Sequence, residues 1–282
     1  MSNASIFHPD FKARPFWWEA YEPQKAELKE VPAEARVAII GGGYAGIAAA
    51  LQLARDRIDA VVLEAEQPGF GASTRNGGMV SGGVTVGKRY SGKEEPGRIA
   101  QLYSAAADSF SLIERLIEDE GIDCEWNKTG RFAGAWCRAH YRALAAKVDA
   151  LNRHAQAGAY MLERDRQREE IGSDYYHGGM VAMRSAHLHP AKYFAGLYRT
   201  ALASGATVCA EAPVSRIGRN GAGFIVETAR GTVRAGDVIV ATNGYTGSVT
   251  PALRRRVIPV NSYIIATEEL PDDLAASLMP RN

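Results

Sequence analysis

The sequence predicts an α/β fold: a parallel sheet with its helices, and a second, more helical unit interleaved in the chain. Three observations carry this. A short apolar run, Val37–Ile40, leads through a glycine turn into a helix and then into a second apolar run, Ala60–Leu63. Two strands joined by a crossover helix lie parallel. The α/β pattern returns at His189, and the residues between are dominated by long amphipathic segments.

Residues 1–36 are polar and proline-containing, with an aromatic cluster at Phe16, Trp17, Trp18 and Tyr21. They are expected to form an arm packed on the body of their own subunit, the alternative being a contact with another chain. After the first strand, Ile47, Leu51 and Ala54 fall on one helical face. The segment from Gly69 to Gly92 holds eight glycines and reads as loop. Gly97 to Glu120 reads as a helix, since Ile99, Leu102, Tyr103, Ala106, Phe110, Ile113 and Ile117 recur at threes and fours before the capping Gly121. A hairpin strand is expected over Arg131–Trp136 and a second amphipathic helix over His140–Gln156, followed by a charged, irregular stretch at 163–179.

Pro190 opens the next helix, with Tyr193, Phe194, Leu197 and Ala201 on its buried face up to Gly205. Strands are expected over Thr207–Ala212, Val214–Ile217, Phe224–Thr228 and Thr232–Ala235. Val238–Ala241 reads as a central parallel strand and Val257–Thr267 as a last one. There is no internal repeat. The expected domains are an arm (1–36), a discontinuous sheet domain (37–92 and 186–250), and a helical insert with a partial second domain (93–185 and 251–282).

Composition removes several function classes. With 33 basic and 32 acidic residues the formal charge is +1, which gives no field for holding a nucleic acid backbone or an anionic membrane. Cys124, Cys137 and Cys209 form no CxxC pair and leave one over, so a reducing, cytoplasmic setting is expected rather than a disulfide scaffold or structural zinc site. No secretory signal opens the chain. The uncharged stretch Val37–Ala54 carries four glycines and Gln52, and it reads better as strand, turn and helix than as a membrane span.

Gly41, Gly43 and Gly46 make a GxGxxG pattern between a strand and a helix, and Glu64 closes the next strand 18 positions after Gly46. This is the fingerprint of a Rossmann-like dinucleotide site. Gly41 allows the turn, Gly43 lets a pyrophosphate approach the backbone, and Gly46 lets the helix lie against the strand. The first helical residues, Tyr44 and Ala45, present unpaired N–H groups to phosphate. Glu64 accepts from a ribose diol, and its charge would repel a 2′-phosphate, which disfavours NADP. The fingerprint does not separate NAD from FAD.

The segment Gly71-Ala72-Ser73-Thr74-Arg75-Asn76-Gly77-Gly78-Met79 does separate them. Here the chain resembles the FAD-dependent amine and amino-acid oxidases of the D-amino-acid oxidase superfamily, and within it the γ-glutamylputrescine oxidase group. Further pieces carry the resemblance: Phe16–Glu19, Leu188–Tyr193, Ala241–Thr246 and Ser262–Glu268. It implies FAD as cofactor. Ser73 would donate to the pyrophosphate, while Arg75 and Asn76 would fix the loop and its cofactor contacts. Gly77 and Gly78 would let the main chain run beside the isoalloxazine. Val214 would touch the adenine side through its backbone. Thr242 and Gly244 would sit at the carboxyl end of a parallel strand, where open α/β sheets bind ligands.

The implied reaction is oxidation of the C–N bond of a neutral amine or amino acid, followed by imine hydrolysis, with dioxygen or another acceptor reoxidising the flavin. No side chain is singled out as catalytic. Tyr263 and Met79 are candidates to face the substrate, with packing the expected role for each. A metal site at His187 and His189, a hydrolase at Ser73 and an anion site at Arg254–Arg256 are all set aside. The resemblance also implies further substrate-domain strands and a second glycine-rich segment that this chain lacks. The substrate domain is therefore expected to be incomplete, with strand edges and apolar surface exposed near Val257–Ala266. A truncated product, an incomplete gene model and a partner chain that completes the fold would each account for this. The alternatives to an amine oxidoreductase are an FAD-binding fragment without turnover and an NAD-linked dehydrogenase, the latter leaving Ala72–Gly78 without a task.

Overall fold

In a computed structural model of the chain, residues 10–23, 25–83 and 96–281 are described. The chain divides into two compact units, Met1–Asn76 with Pro190–Ile265, and Gly77–His189 with Ala266–Asn282.

The first unit is built on a six-stranded sheet. Its strands are β1 (Glu34–Ile40), β2 (Ala60–Leu63), β8 (Thr207–Cys209), β9 (Val214–Asn220), β10 (Gly223–Thr228) and β11 (Gly231–Val240), in the order β8-β2-β1-β11-β10-β9. Strands β8, β2, β1 and β11 run parallel, and β10 and β9 extend the sheet antiparallel. Ala38 and Ile39 of β1 are fully buried, as a strand with parallel neighbours on both sides requires.

The strand expectations need three corrections. Thr232–Ala235 and Val238–Ala241 are one strand, β11, because β1 pairs along it from Glu34↔Arg234 to Ile40↔Val240. The polar break inside it is absorbed by the ladder, since Asp237 pairs with Val37 and its carboxylate lies 3.0 Å from Arg36. The strand expected over Thr207–Ala212 ends at Cys209. There the chain turns through Glu211 (φ +52°), and the N–H groups of Glu211 and Ala212 donate to the carbonyls of Glu66 and Glu64. Val257–Thr267 forms no strand at all. Ile258, Val260, Tyr263 and Ile265 are 84–86% exposed, and no strand lies alongside among the described residues to complete a ladder. The apolar exposure expected in this segment is present; the strand edge is not.

Helix α1 (Trp17–Ala20) belongs to the arm, and α6 (Pro251–Arg254) is a single exposed turn holding the first of the three arginines. Helix α2 (Tyr44–Arg55) buries Gly46, Ile47, Ala50 and Leu51 and packs on α5 (Pro190–Ala203). Tyr44 fastens the two: its ring centroid lies 5.4 Å from that of Tyr193 and 6.0 Å from that of Phe194, and its hydroxyl donates to the Pro190 carbonyl at 3.0 Å. A Tyr44→Phe variant keeps the rings and loses the hydrogen bond. Thermal denaturation should find it less stable by about 1 kcal/mol, a fall of roughly 2–4 °C.

In the second unit α3 (Pro96–Asp119) and α4 (Arg138–Ala155) share a core with a three-stranded antiparallel sheet. Its strands are β4 (Arg131–Gly134), β5 (Ala159–Leu162) and β6 (Gly179–Ala182), in the order β4-β6-β5. The hairpin expected over Arg131–Trp136 is therefore a strand paired with a distant segment, from Arg131↔Ala182 to Gly134↔Gly179. The core includes Tyr103, Leu144 and Leu151, from the two helical stripes read from the sequence, together with Met180 of β6. Arg184 ties this core, donating to the carbonyls of Ala107 and Ala155 and to Ser111. Residues 163–179 contain a 3-10 turn, Arg164–Glu169, with Gln167 buried. Strand β3 (Met79–Ser81) pairs with β7 (Ser185–His187), and α7 (Asp272–Leu278) follows late in the chain.

Met79 is 62% exposed and Tyr263 is 85% exposed, so the packing role expected for each is not what the structure shows. Residues 84–92 of the glycine-dense loop lie outside the described residues. Among the described residues, no helix is long and apolar enough to cross a membrane.

Candidate functional site

The site lies where β1 and β11 end side by side. Gly41 turns the chain at φ +104°, and a Cβ there would stand 2.8 Å from the Ala241 carbonyl oxygen. At Gly46 a Cβ would stand 1.9 Å from the Gly41 carbonyl oxygen, so glycine alone lets α2 start this close to the strand end. Both roles agree with the fingerprint. At Gly43 a Cβ would meet the Ser73 hydroxyl at 2.9 Å, so this glycine also makes room for the neighbouring loop.

Two side chains reach the turn. The Glu64 carboxylate faces it, with Oε2 accepting from the Gly42 N–H at 2.6 Å and Oε1 from the Glu66 N–H at 2.9 Å. Ser73 Oγ accepts from the Tyr44 N–H at 2.9 Å and stands in for a cap that Gly43 cannot supply. The N–H groups of Gly43, Ala45 and Gly46 have no acceptor among the described residues. That leaves an electropositive helix start open beside an acidic side chain. A carboxylate has about four acceptor positions, and the backbone takes two of Glu64's.

Thr242 and Gly244 follow β11. The Thr242 N–H nitrogen lies 3.4 Å from the position of a Cβ on Gly41, and nothing stands within 4 Å of one on Gly244. Thr242 Oγ1 is held by Thr246 Oγ1 at 2.7 Å. Val214 opens β9, half-buried, two residues beyond Ala212, whose N–H donates to the Glu64 carbonyl.

The loop carrying Ser73 is braced from within and from the arm. Asn76 Nδ2 donates to the carbonyls of Ala72 and Ser73. The Arg75 guanidinium lies over two rings, 4.9 Å from the Trp18 centroid and 4.4 Å from that of Phe70, with its Nε buried and without a hydrogen-bond partner among the described residues. Gly77 and Gly78 fall in the second unit, where the Gly78 carbonyl accepts from the Leu188 N–H and Gly78 takes φ +70°. The structure thus gathers Gly41, Gly43, Tyr44, Ala45, Gly46, Glu64, Ser73 and Thr242 around one turn, whereas Gly244, two residues beyond Thr242, has no hydrogen bond to that turn among the described residues. Reading the sequence missed Gly42, Thr74, Phe70 and the indoles as partners of that turn and its loop; the tandem Trp17-Trp18 was the available signal. Among the described residues, no group of three or more histidines, cysteines or acids is placed to hold a metal.

Comparison with known proteins places the chain in a family. The chain is 34% identical over 251 residues to the γ-glutamylputrescine oxidoreductase of Escherichia coli, covering 87% of this chain and 58% of that protein. It is 31% identical to the probable oxidoreductase OrdL of Haemophilus influenzae, with the same coverage of 87% and 58%. The chain therefore spans somewhat under three-fifths of the length of these relatives. Among solved structures, glycine oxidase from Geobacillus kaustophilus superposes with a TM-score of 0.64 at 23% identity, covering 79% of this chain and 59% of that one. L-amino acid deaminase from Proteus myxofaciens gives a TM-score of 0.64 at 19% identity, covering 78% and 47%; both show a shared fold. The family of FAD dependent oxidoreductases termed DAO matches residues 36–282. With seven-eighths of its length inside that match, the chain belongs to the DAO family of FAD-dependent oxidoreductases.

Proposed function

We propose that the chain holds FAD with its diphosphate against the start of α2 and its adenosine ribose on Glu64, and serves the oxidation of a C–N bond in an amine or amino acid. One observation carries this reading: the three unpaired N–H groups of Gly43, Ala45 and Gly46 beside a carboxylate with acceptor positions to spare. Ser73, whose oxygen is engaged by Tyr44, keeps a hydroxyl proton to donate to a phosphate oxygen. Thr242 borders the same turn at the carboxyl ends of β1 and β11, and Gly244 follows it on the ligand side of the sheet. Val214 takes the adenine side. Arg75 and Asn76 act on the loop rather than on the ligand, and Gly77 and Gly78 serve the flavin ring. The unit comprising Met1–Asn76 and Pro190–Ile265 is then the FAD-binding part.

When bound, FAD supplies the two-electron acceptor, with dioxygen or another acceptor taking the electrons onward. The protein's share is to hold the dinucleotide, exclude water and favour the neutral amine over the ammonium by desolvation. The finer reading, a substrate of the γ-glutamylputrescine type, is supported by the 34% identity to the Escherichia coli protein. An NAD-linked reading loses its ground with the family match.

The test begins with the purified chain and added FAD. Retained flavin absorption bands are expected after desalting, and a colourless protein rejects the reading. Peroxide release or flavin bleaching with γ-glutamylputrescine would support the finer substrate reading. Bound flavin that no amine or amino acid reduces would instead leave a nucleotide-binding fragment without turnover.

A further inference from the structure

We infer that Trp17 and Trp18 of the N-terminal arm are positioning residues for the dinucleotide, acting through the loop that carries Ser73; this rests on the FAD reading above. Further along the arm, the Ala26 N–H donates to Gln67 Oε1 and the Lys29 carbonyl accepts from Arg230. Helix α1 buries no residue, and Phe11 and Phe16 are about half exposed. Its two indoles, however, are half-buried, and each spends its one N–H on the same loop. Trp17 Nε1 donates to the Asn76 carbonyl at 2.8 Å, and Trp18 Nε1 to Thr74 Oγ1 at 3.1 Å.

These ties bracket Arg75, whose guanidinium lies over both the Trp18 ring and the Phe70 ring. Thr74 Oγ1 passes the constraint on by donating to the Gly69 carbonyl at 2.8 Å. The next residue back is Ser73, which holds the Tyr44 N–H at the start of α2. A surface arm is thereby connected to the first N–H of the phosphate-facing helix through two hydrogen bonds and one stacked cation. By linkage, whatever FAD gains from a fixed loop the arm must gain from bound FAD.

The test uses the full chain, with FAD as probe. Flavin fluorescence titrations compare wild type with Trp18→Phe, which keeps a ring over Arg75 and loses the N–H, and with Thr74→Val and Thr74→Ser. Loss of one such bond is expected to raise the Kd by about five- to twentyfold in Trp18→Phe and Thr74→Val. Thr74→Ser, which keeps the hydroxyl, should return to near the wild-type value. Trypsin cleavage after Lys12, which is followed by Ala13, should slow severalfold in wild type when FAD is present. An unchanged Kd in Trp18→Phe and Thr74→Val overturns the inference, even if their melting temperatures fall, because the indoles would then be merely structural. Arm cleavage indifferent to FAD overturns it in wild type alone, whether or not a variant folds. Wild type that takes up no FAD defeats the FAD reading as well, whereas tight wild-type binding with unaltered variants defeats this inference alone.

Discussion

A Gly46→Ala protein should lose both stability and FAD binding, the largest effect expected of any single methyl group in this chain. The added carbon would stand 1.9 Å from the Gly41 carbonyl oxygen, 3.1 Å from its carbon and 3.4 Å from Ile39 Cγ2. The nearest of these is backbone, and it belongs to a residue pinned by a hydrogen bond from its own N–H to the Leu63 carbonyl. No side chain can swing aside to relieve the contact. Helix α2 must move away from the strand end, at a cost of roughly 3 kcal/mol or more. The helix start then leaves the position that faces the diphosphate, and a comparable loss in binding is a factor of about 150 in Kd. Gly244→Ala is the internal control, since its methyl group meets nothing within 4 Å and should leave thermal stability within about 0.5 kcal/mol of wild type. Thermal denaturation and flavin fluorescence titration measure both quantities. A Gly46→Ala protein that melts and binds like wild type would refute the packing of α2 on the Gly41 turn.

Removing the Glu64 carboxylate should produce the second-largest effect. Glu64→Ala leaves the N–H groups of Gly42 and Glu66 without their acceptor. Hydrogen bonds to a charged group contribute about 1.5–3 kcal/mol each, and the exposed Glu66 N–H can turn to water. The apoprotein should therefore lose about 2 kcal/mol, mostly from the Gly42 contact. FAD binding should weaken by roughly 10- to 100-fold, because the ribose loses an ionic acceptor as well. Glu64→Gln keeps one carbonyl oxygen for the turn and should fall between Glu64→Ala and wild type on both measures. Calorimetry on the apoproteins and FAD titration separate the two contributions. An unchanged FAD affinity in Glu64→Ala would remove the carboxylate from the site while leaving its hold on the turn intact.

The parts of the fold that were legible in the sequence are those set by near neighbours. Val37–Ile40, the glycine turn, α2 and Ala60–Leu63 are adjacent in the chain, so apolar periodicity and glycine spacing describe them directly. Glu64 could be found by its distance from Gly46, because the end of the second strand has a fixed relation to the turn. The failures have remote causes. Nothing near Gly236 and Asp237 says that β11 continues, because the strand that keeps it straight is β1, two hundred positions earlier. The apolar residues of Val257–Thr267 have the composition of a strand, yet a strand exists only where a neighbour accepts its hydrogen bonds. The tandem tryptophans were visible as a cluster. Their partners, Thr74 and Asn76, lie 56 and 59 residues away, and no local pattern points to them.

The crowding of Gly41 by Ala241 sets an order of events during synthesis. The nucleotide turn is framed on one side by residues that leave the ribosome early and on the other by residues made 200 positions later. Contacts of such sequence separation form slowly, because closing the long intervening loop costs entropy before any pairing rewards it. The nascent amino-terminal third therefore cannot complete its own ligand cradle. It must wait, with β1 bare along one edge, until the final strand of the sheet arrives, and the whole Gly77–His189 part of the second unit is made during that wait.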